Sequence, residues 1–137
     1  FHWEGEGILF SGDLVTGEPS SWVGTPDGDM ADYLASLRRI AGLPLRLLLS
    51  GHGPPVENPA EKIEAYIQRR LEREGDILRL LGNGEAAVPD LTRRIYHGRG
   101  LSPGLQGFAE KTVEAHLVKL YAEGRVKRLA EGAYALT

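Results

Sequence analysis

Two short apolar runs, Ile8-Leu9-Phe10 and Leu47-Leu48-Leu49, each end in a Ser-Gly pair followed at once by a polar side chain, Asp13 in the first and His52 in the second. No other feature constrains the fold as tightly. An apolar run of this length reads as a strand covered on both faces, and a Ser-Gly pair lets the backbone turn so that one polar group stands at the strand's end. Taken singly, each half is ordinary, because Gly-Asp is a common turn dipeptide and a loop histidine is commonly hydrogen-bonded to its surroundings. Taken together they gain meaning: an imidazole and a carboxylate are both good ligands for zinc and related divalent metals. The pair is expected to form half of a metal site.

The segments around these strands predict a mixed α/β unit. Phe1-His2-Trp3-Glu4 alternates large and polar residues, and Gly5-Glu6-Gly7 can turn it back into Ile8-Leu9-Phe10 as a hairpin. From Leu14 to Gly28 the chain has no periodicity and is rich in Gly, Pro and Ser, so a long loop is expected, with Trp22 either walling the site or anchoring the loop. Asp27 or Asp29 can cap a helix to about Ala41, with Met30, Tyr33, Leu34, Leu37 and Ile40 at helical spacing. Leu45–Leu49 follows as a strand, giving strand, loop, helix, strand.

Asn58-Pro59 then starts a long helix whose apolar stripe, Ile63, Tyr66, Ile67, Leu71, Ile77, Leu78 and Leu81, runs to Gly82. Gly75 is a potential break within it. The mixed run Arg69-Arg70-Leu71-Glu72-Arg73-Glu74 reads as a solvated face of that helix. Beyond it a short helix is expected from Val88-Pro89-Asp90 to about Tyr96, then a turn over residues 97–104, a helix from about Gly107 to Glu123, and two strands flanking Ala130-Glu131-Gly132. Helix, helix, helix, hairpin is the order of a winged helix-turn-helix. The expected organisation is a sheet-containing unit over 1–58, a connecting helix over 59–82 and a winged-helix-like unit over 83–137.

Composition narrows the classes. With no cysteine among 137 residues there is neither a disulfide frame nor a thiolate metal site, which leaves His and carboxylates as ligands. No apolar run approaches the length that spans a bilayer, and no signal-peptide pattern opens the chain, so no membrane association and a cytoplasmic location are expected. Residues 1–75 hold 7 Lys/Arg against 12 Asp/Glu, and residues 76–137 hold 9 against 7, net −5 and +2. That asymmetry suits two units with different work, and the second is far from the basic excess of a dedicated nucleic-acid binder.

Leu9-Phe10-Ser11-Gly12-Asp13 and Leu49-Ser50-Gly51-His52-Gly53 resemble the two C-terminal ligand motifs of metallo-β-lactamase-fold hydrolases, in the branch related to glyoxalase II and to the lactamase-like protein 2 group. The group also resembles this chain in its winged-helix-like tail and in the helix leading into it, which here carries Ile63-Glu64-Ala65-Tyr66-Ile67, Arg69, Arg73 and Ile77-Leu78. The resemblance implies the C-terminal part of an αββα sandwich followed by a small, mostly α domain. It also implies two divalent metals, zinc first among the candidates, with Asp13 bridging them and His52 completing the second position. The activity implied is that of a hydrolase in which a metal-bound hydroxide attacks an ester, thioester or phosphodiester, acting on a small molecule or on RNA.

One part of that pattern is missing. The family's His-x-His-x-Asp-His motif does not occur in the chain, and His2 sits in an alternating strand that does not match the family's intermediate histidine. Zinc normally takes at least three protein ligands, so these residues alone are expected to bind metal weakly and to hydrolyse nothing. Because the chain starts at Phe1, it is expected to be a portion of a longer protein, and the missing N-terminal half or a neighbouring chain is expected to pack on residues 1–58. A rival reading takes the tail as a nucleic-acid-binding module, or as an RNA-positioning tail of a nuclease. Lys111, His116, Lys119, Arg125, Lys127 and Arg128 are its candidate phosphate contacts. Glu110, Glu114 and Glu123 on the same helix weigh against it, and a structural lid is the alternative role.

Overall fold

A computed structural model describes residues 1–16, 21–98 and 100–137. Gly17, Pro19 and Ser20 of the expected loop, and Arg99 of the expected turn, lie outside the described residues. The chain forms two compact units, one of Phe1–Trp22 with Asp32–Arg70, the other of Val23–Ala31 with Leu71–Thr137.

The first unit is built on a three-stranded sheet. Strand β1 (His2–Trp3) pairs antiparallel with β2 (Ile8–Gly12), and β2 pairs parallel with β3 (Leu47–Ser50). Parallel neighbours need a crossover, which α1 (Met30–Ala41) supplies. The register sets Leu9 opposite Leu48, and Ile8 and Phe10 opposite Leu47 and Leu49. Successive side chains alternate across a strand, so the sheet has two unequal faces. Leu9 and Leu48 are buried, as are Leu34, Leu37, Ile63 and Ile67 of the helices, whereas Trp3 and Phe10 on the other face are exposed. Phe1 adds its ring beside Phe10, the centroids 6.0 Å apart.

Helix α2 (Pro59–Leu81) is continuous through Gly75, where a Cβ would meet nothing within 4 Å. The glycine costs helix propensity there and leaves the hydrogen-bonded ladder intact. The mixed-charge run on α2 departs from expectation, because Arg70 and Glu74 are buried.

In the second unit, α3 (Val88–Ile95) and α4 (Pro103–Ala122) join the end of α2 around Ile77, Leu81, Leu91, Ile95, Val113, Leu117, Leu120, Val126 and Tyr134. Helix α4 begins four residues before the expected Gly107. Ser102 takes the capping position with extended backbone and Pro103 enters the first turn, where its missing N–H costs nothing. The expected hairpin is present as β5 (Val126–Arg128) and β6 (Ala133–Leu136), and a third strand, β4 (Ala86–Ala87), adds to β6. Two alanines give no alternation by which to read a strand. Residues 23–31 lie against α4: the Thr25 N–H donates to the Lys111 carbonyl at 3.3 Å and the Thr25 hydroxyl to Glu114. Among the described residues no helix is long and apolar enough to cross a membrane.

Candidate metal centre

Parallel pairing brings the carboxyl ends of β2 and β3 to the same edge of the sheet, where open α/β sheets bind their ligands. The register slips between Phe10 and Gly12, so that Ser11 is an extra residue on β2. A slip of this kind re-aims the side chains that follow it. The Ser11 hydroxyl lies 2.9 Å from the Val15 carbonyl and 3.4 Å from that of Leu49, across the strand pair. Gly12 then adopts a left-handed backbone with φ 56°, which a residue without a Cβ does at little cost. Its carbonyl accepts the Gly51 N–H at 2.9 Å. Gly51 has a different reason to be glycine: a Cβ there would come within 3.1 Å of Asp13 Oδ1.

These turns set the two polar groups side by side. His52 Nδ1 and Asp13 Oδ1 are 2.9 Å apart, with 79% and 74% of the two side chains exposed. His52 stands on a loop closed behind it by Leu48 and Val56, whose N–H groups and carbonyls bond in both directions at 3.0 and 2.9 Å. The Ser50 hydroxyl donates to the His52 carbonyl within the loop. Beyond His52, Pro54, Pro55, Val56 and Ala65 help to line a groove of about 490 Å³.

The donor set fits a divalent metal in kind, one imidazole and one carboxylate within a hydrogen bond of each other. It is short in number: among the described residues no group of three or more His, Cys, Asp or Glu could hold an ion. His2 belongs to the ladder opposite Leu9. Trp22 is half-exposed, 51% of it open to solvent.

A second carboxylate–imidazole pair, unseen in the sequence, lies in the other unit. His116 Nδ1 is 3.3 Å from Glu74 Oε1, and Lys119 Nζ donates to Glu74 Oε2 at 3.0 Å and to Glu123 at 2.7 Å. His116, Glu74 and Lys119 expose 0%, 5% and 9% of their side chains. Burial pushes the Glu74 carboxyl up, but the bonds from His116 and Lys119 outweigh it and hold the group below its ordinary range. Burial pushes Lys119 down, and Glu123 and Glu74 together more than reverse that, so its ammonium is held above its ordinary range.

His116 and Lys119 are therefore interior groups, not surface phosphate contacts. Lys111, Arg125, Lys127 and Arg128 are exposed. Arg128 is fastened, its guanidinium donating twice to the Tyr134 hydroxyl at 3.2 and 2.9 Å, which also raises its pKa.

Residues 87–133 match the family model of the beta-lactamase associated winged helix domain. The chain is 33% identical to the Beta-lactamase-like protein 2 homolog of Drosophila melanogaster over 125 residues, 89% of this chain and 41% of that protein. It is 36% identical over 78 residues to the Atrochrysone carboxyl ACP thioesterase of Aspergillus fumigatus, 57% of this chain and 24% of that protein. A crystal structure of a metallo-beta-lactamase family protein from Thermus thermophilus superposes with a TM-score of 0.82 at 27% identity, over 100% of this chain and 44% of that one. The chain thus spans less than half the length of each of these relatives. Its mixed α/β fold corresponds to their C-terminal region and winged-helix domain, and the chain belongs to the metallo-β-lactamase superfamily.

Proposed function

We propose that the chain is the C-terminal part of a metal-dependent hydrolase and that Asp13 and His52 are two of its metal ligands. The observation that carries this reading is the 2.9 Å approach of two exposed donors at the ends of adjacent parallel strands. The likeness to a thioesterase and to metallo-β-lactamase family proteins supports it. A divalent ion bound there, with zinc as the first candidate, would act as a Lewis acid toward an acyl or phosphoryl oxygen and make water more acidic. This chain's own contribution is positional: Gly12 supplies the left-handed turn before Asp13, Gly51 leaves room for the carboxylate, and the Leu48–Val56 pair fixes the base of the His52 loop.

Two ligands are too few for tight binding. The remaining ligands are supplied by the rest of the whole protein, for which the apolar sheet face bearing Trp3, Ile8, Phe10, Leu47 and Leu49 is the contact surface. An uncovered face of that composition would favour association. Substrates of the whole protein are esters, thioesters or phosphodiesters, of a small molecule or RNA. The winged helix serves as a structural element of that protein, since residues 23–31 already occupy part of α4 and two of its basic groups are interior.

The test pairs the 137-residue chain with a longer protein that includes it. The chain alone is expected to hydrolyse no thioester or phosphodiester, while the longer protein is active and loses metal and activity together on Asp13→Ala or His52→Ala. Full activity and metal content in either variant of the longer protein would refute the assignment.

A further inference from the structure

Among the described residues the Asp13 carboxylate is held directly by its exposed contact with His52, so its position depends on the backbone that carries it. That backbone is fastened with unusual thoroughness. The Leu14 N–H closes a turn onto the Ser11 carbonyl at 3.1 Å. Immediately after it, two buried tyrosines reach in from different helices. Tyr33 of α1 donates its hydroxyl to the Leu14 carbonyl at 3.1 Å, and Tyr66 of α2 donates to the Thr16 carbonyl at 2.6 Å. These carbonyls belong to the first and third residues past Asp13. Val15, between them, is completely buried. The Ser21 hydroxyl adds a second donor to the Leu14 carbonyl at 3.1 Å. The Ser21 carbonyl in turn accepts from Arg70, whose guanidinium lies 5.3 Å over the ring of Tyr33.

Filling the interior does not require this. Phenylalanine would occupy the same space, and a buried phenol is tolerated only when its hydroxyl finds a partner. Here both hydroxyls go to the segment that follows one carboxylate, and burial, the largest influence on Tyr33, keeps its phenol protonated and donating. A metal ligand must be held within about half an ångström of its working position, and the groups behind it supply that precision.

We propose that Tyr33 and Tyr66, with Arg70 bracing Tyr33, are positioning residues for Asp13, setting its carboxylate for the metal by holding the Leu14 and Thr16 carbonyls to the helices. The proposal rests on Asp13 being a ligand. It assigns the two phenols a task separable from stability.

The experiment is a Zn2+ titration of the 137-residue chain, following the His52 ring and Asp13 carboxylate resonances by NMR, with melting temperature measured in parallel. Tyr33→Phe with Tyr66→Phe is expected to raise the Zn2+ midpoint about 10-fold, the scale typical of lost support behind a ligand, with each single variant in between. Ile63→Val, which loosens the interior of the same unit at a fully buried position, serves as the stability control and is expected to leave the midpoint in place. A double variant that melts lower with an unchanged midpoint overturns the proposal, as does an Ile63→Val midpoint that moves equally for an equal loss of stability. Asp13→Ala separates the two levels. If it leaves the midpoint unmoved, the ligand assignment falls and this proposal with it; if it abolishes the response while the phenylalanine variants match the unsubstituted chain, only the positioning role falls.

Discussion

The molecule contains the same chemical pair twice, in opposite surroundings. Asp13 and His52 meet at 2.9 Å with roughly three quarters of each side chain in solvent, whereas Glu74 and His116 meet at 3.3 Å almost wholly buried, with Lys119 as a third member. An exposed carboxylate–imidazole contact contributes little to stability, because water competes for both groups. A buried one cannot be opened without stranding a charge. The difference suits two uses of one chemistry: in the proposed function the exposed pair exchanges its mutual bond for a metal, while the buried pair holds α2 to α4.

Removing one partner tests this most strongly. Glu74→Ala leaves the Lys119 ammonium in the interior with Glu123 as its one remaining ion-pair partner among the described residues, and is expected to cost about 3 kcal/mol in urea unfolding. A loss below about 1 kcal/mol would mean that the interior tolerates the charge and that the contrast is one of exposure alone.

The pH dependence follows from the directions of the shifts. Glu74 has its pKa below the ordinary value of 4.5 in the folded chain, so its stabilisation is fully present above that value and is lost as pH falls through the lower, folded one. Lys119, raised above 10.5, contributes below that value and loses its contribution as pH rises through the folded one. Glu74→Gln should therefore flatten the acid limb of a stability–pH curve. An acid limb as steep as that of the unsubstituted chain would assign it to other carboxylates.

The exposed pair should behave in the opposite way. Asp13→Ala and His52→Ala are each expected to change unfolding free energy by no more than about 0.5 kcal/mol, as surface positions do. A loss as large as that of Glu74→Ala would make the pair a structural contact.

Much of the Asp13–His52 arrangement was legible because strand, turn and polar group follow one another in the chain. Ser11-Gly12-Asp13 and Ser50-Gly51-His52 carry their geometry locally, and only the parallel pairing had to be supplied by the fold. The buried cluster was harder to see, because its members are 42 and 45 residues apart and its acid lies in a run of mixed charge. A signal was nevertheless present. Ile63, Ile67, Arg70, Glu74, Ile77 and Leu81 keep a spacing of three and four without interruption, and a polar residue in phase with an apolar stripe belongs to the buried side of a helix. His116 falls in the same way among Val113, Leu117 and Leu120. Tyr33 and Tyr66 were readable as interior residues, but the destination of their hydroxyls was not, since the carbonyls of Leu14 and Thr16 carry no mark in the sequence.

The smallest effect is expected among the basic residues of α4 and the β5 hairpin. With His116 and Lys119 interior and Arg128 tied to Tyr134, Lys111, Arg125 and Lys127 are the candidate contacts that are exposed and outside these pairings. Replacing all three by Ala should change retention of single-stranded RNA at low salt by less than about twofold. A salt-dependent loss of binding would restore the RNA-positioning role.

The most direct test of the central claim is Zn2+ titration of the chain with the Asp13 and His52 resonances in view. A weak, saturable response is expected in which both move together and which disappears in Asp13→Ala and in His52→Ala. Tight binding that survives both substitutions, or a response confined to other residues, would contradict it.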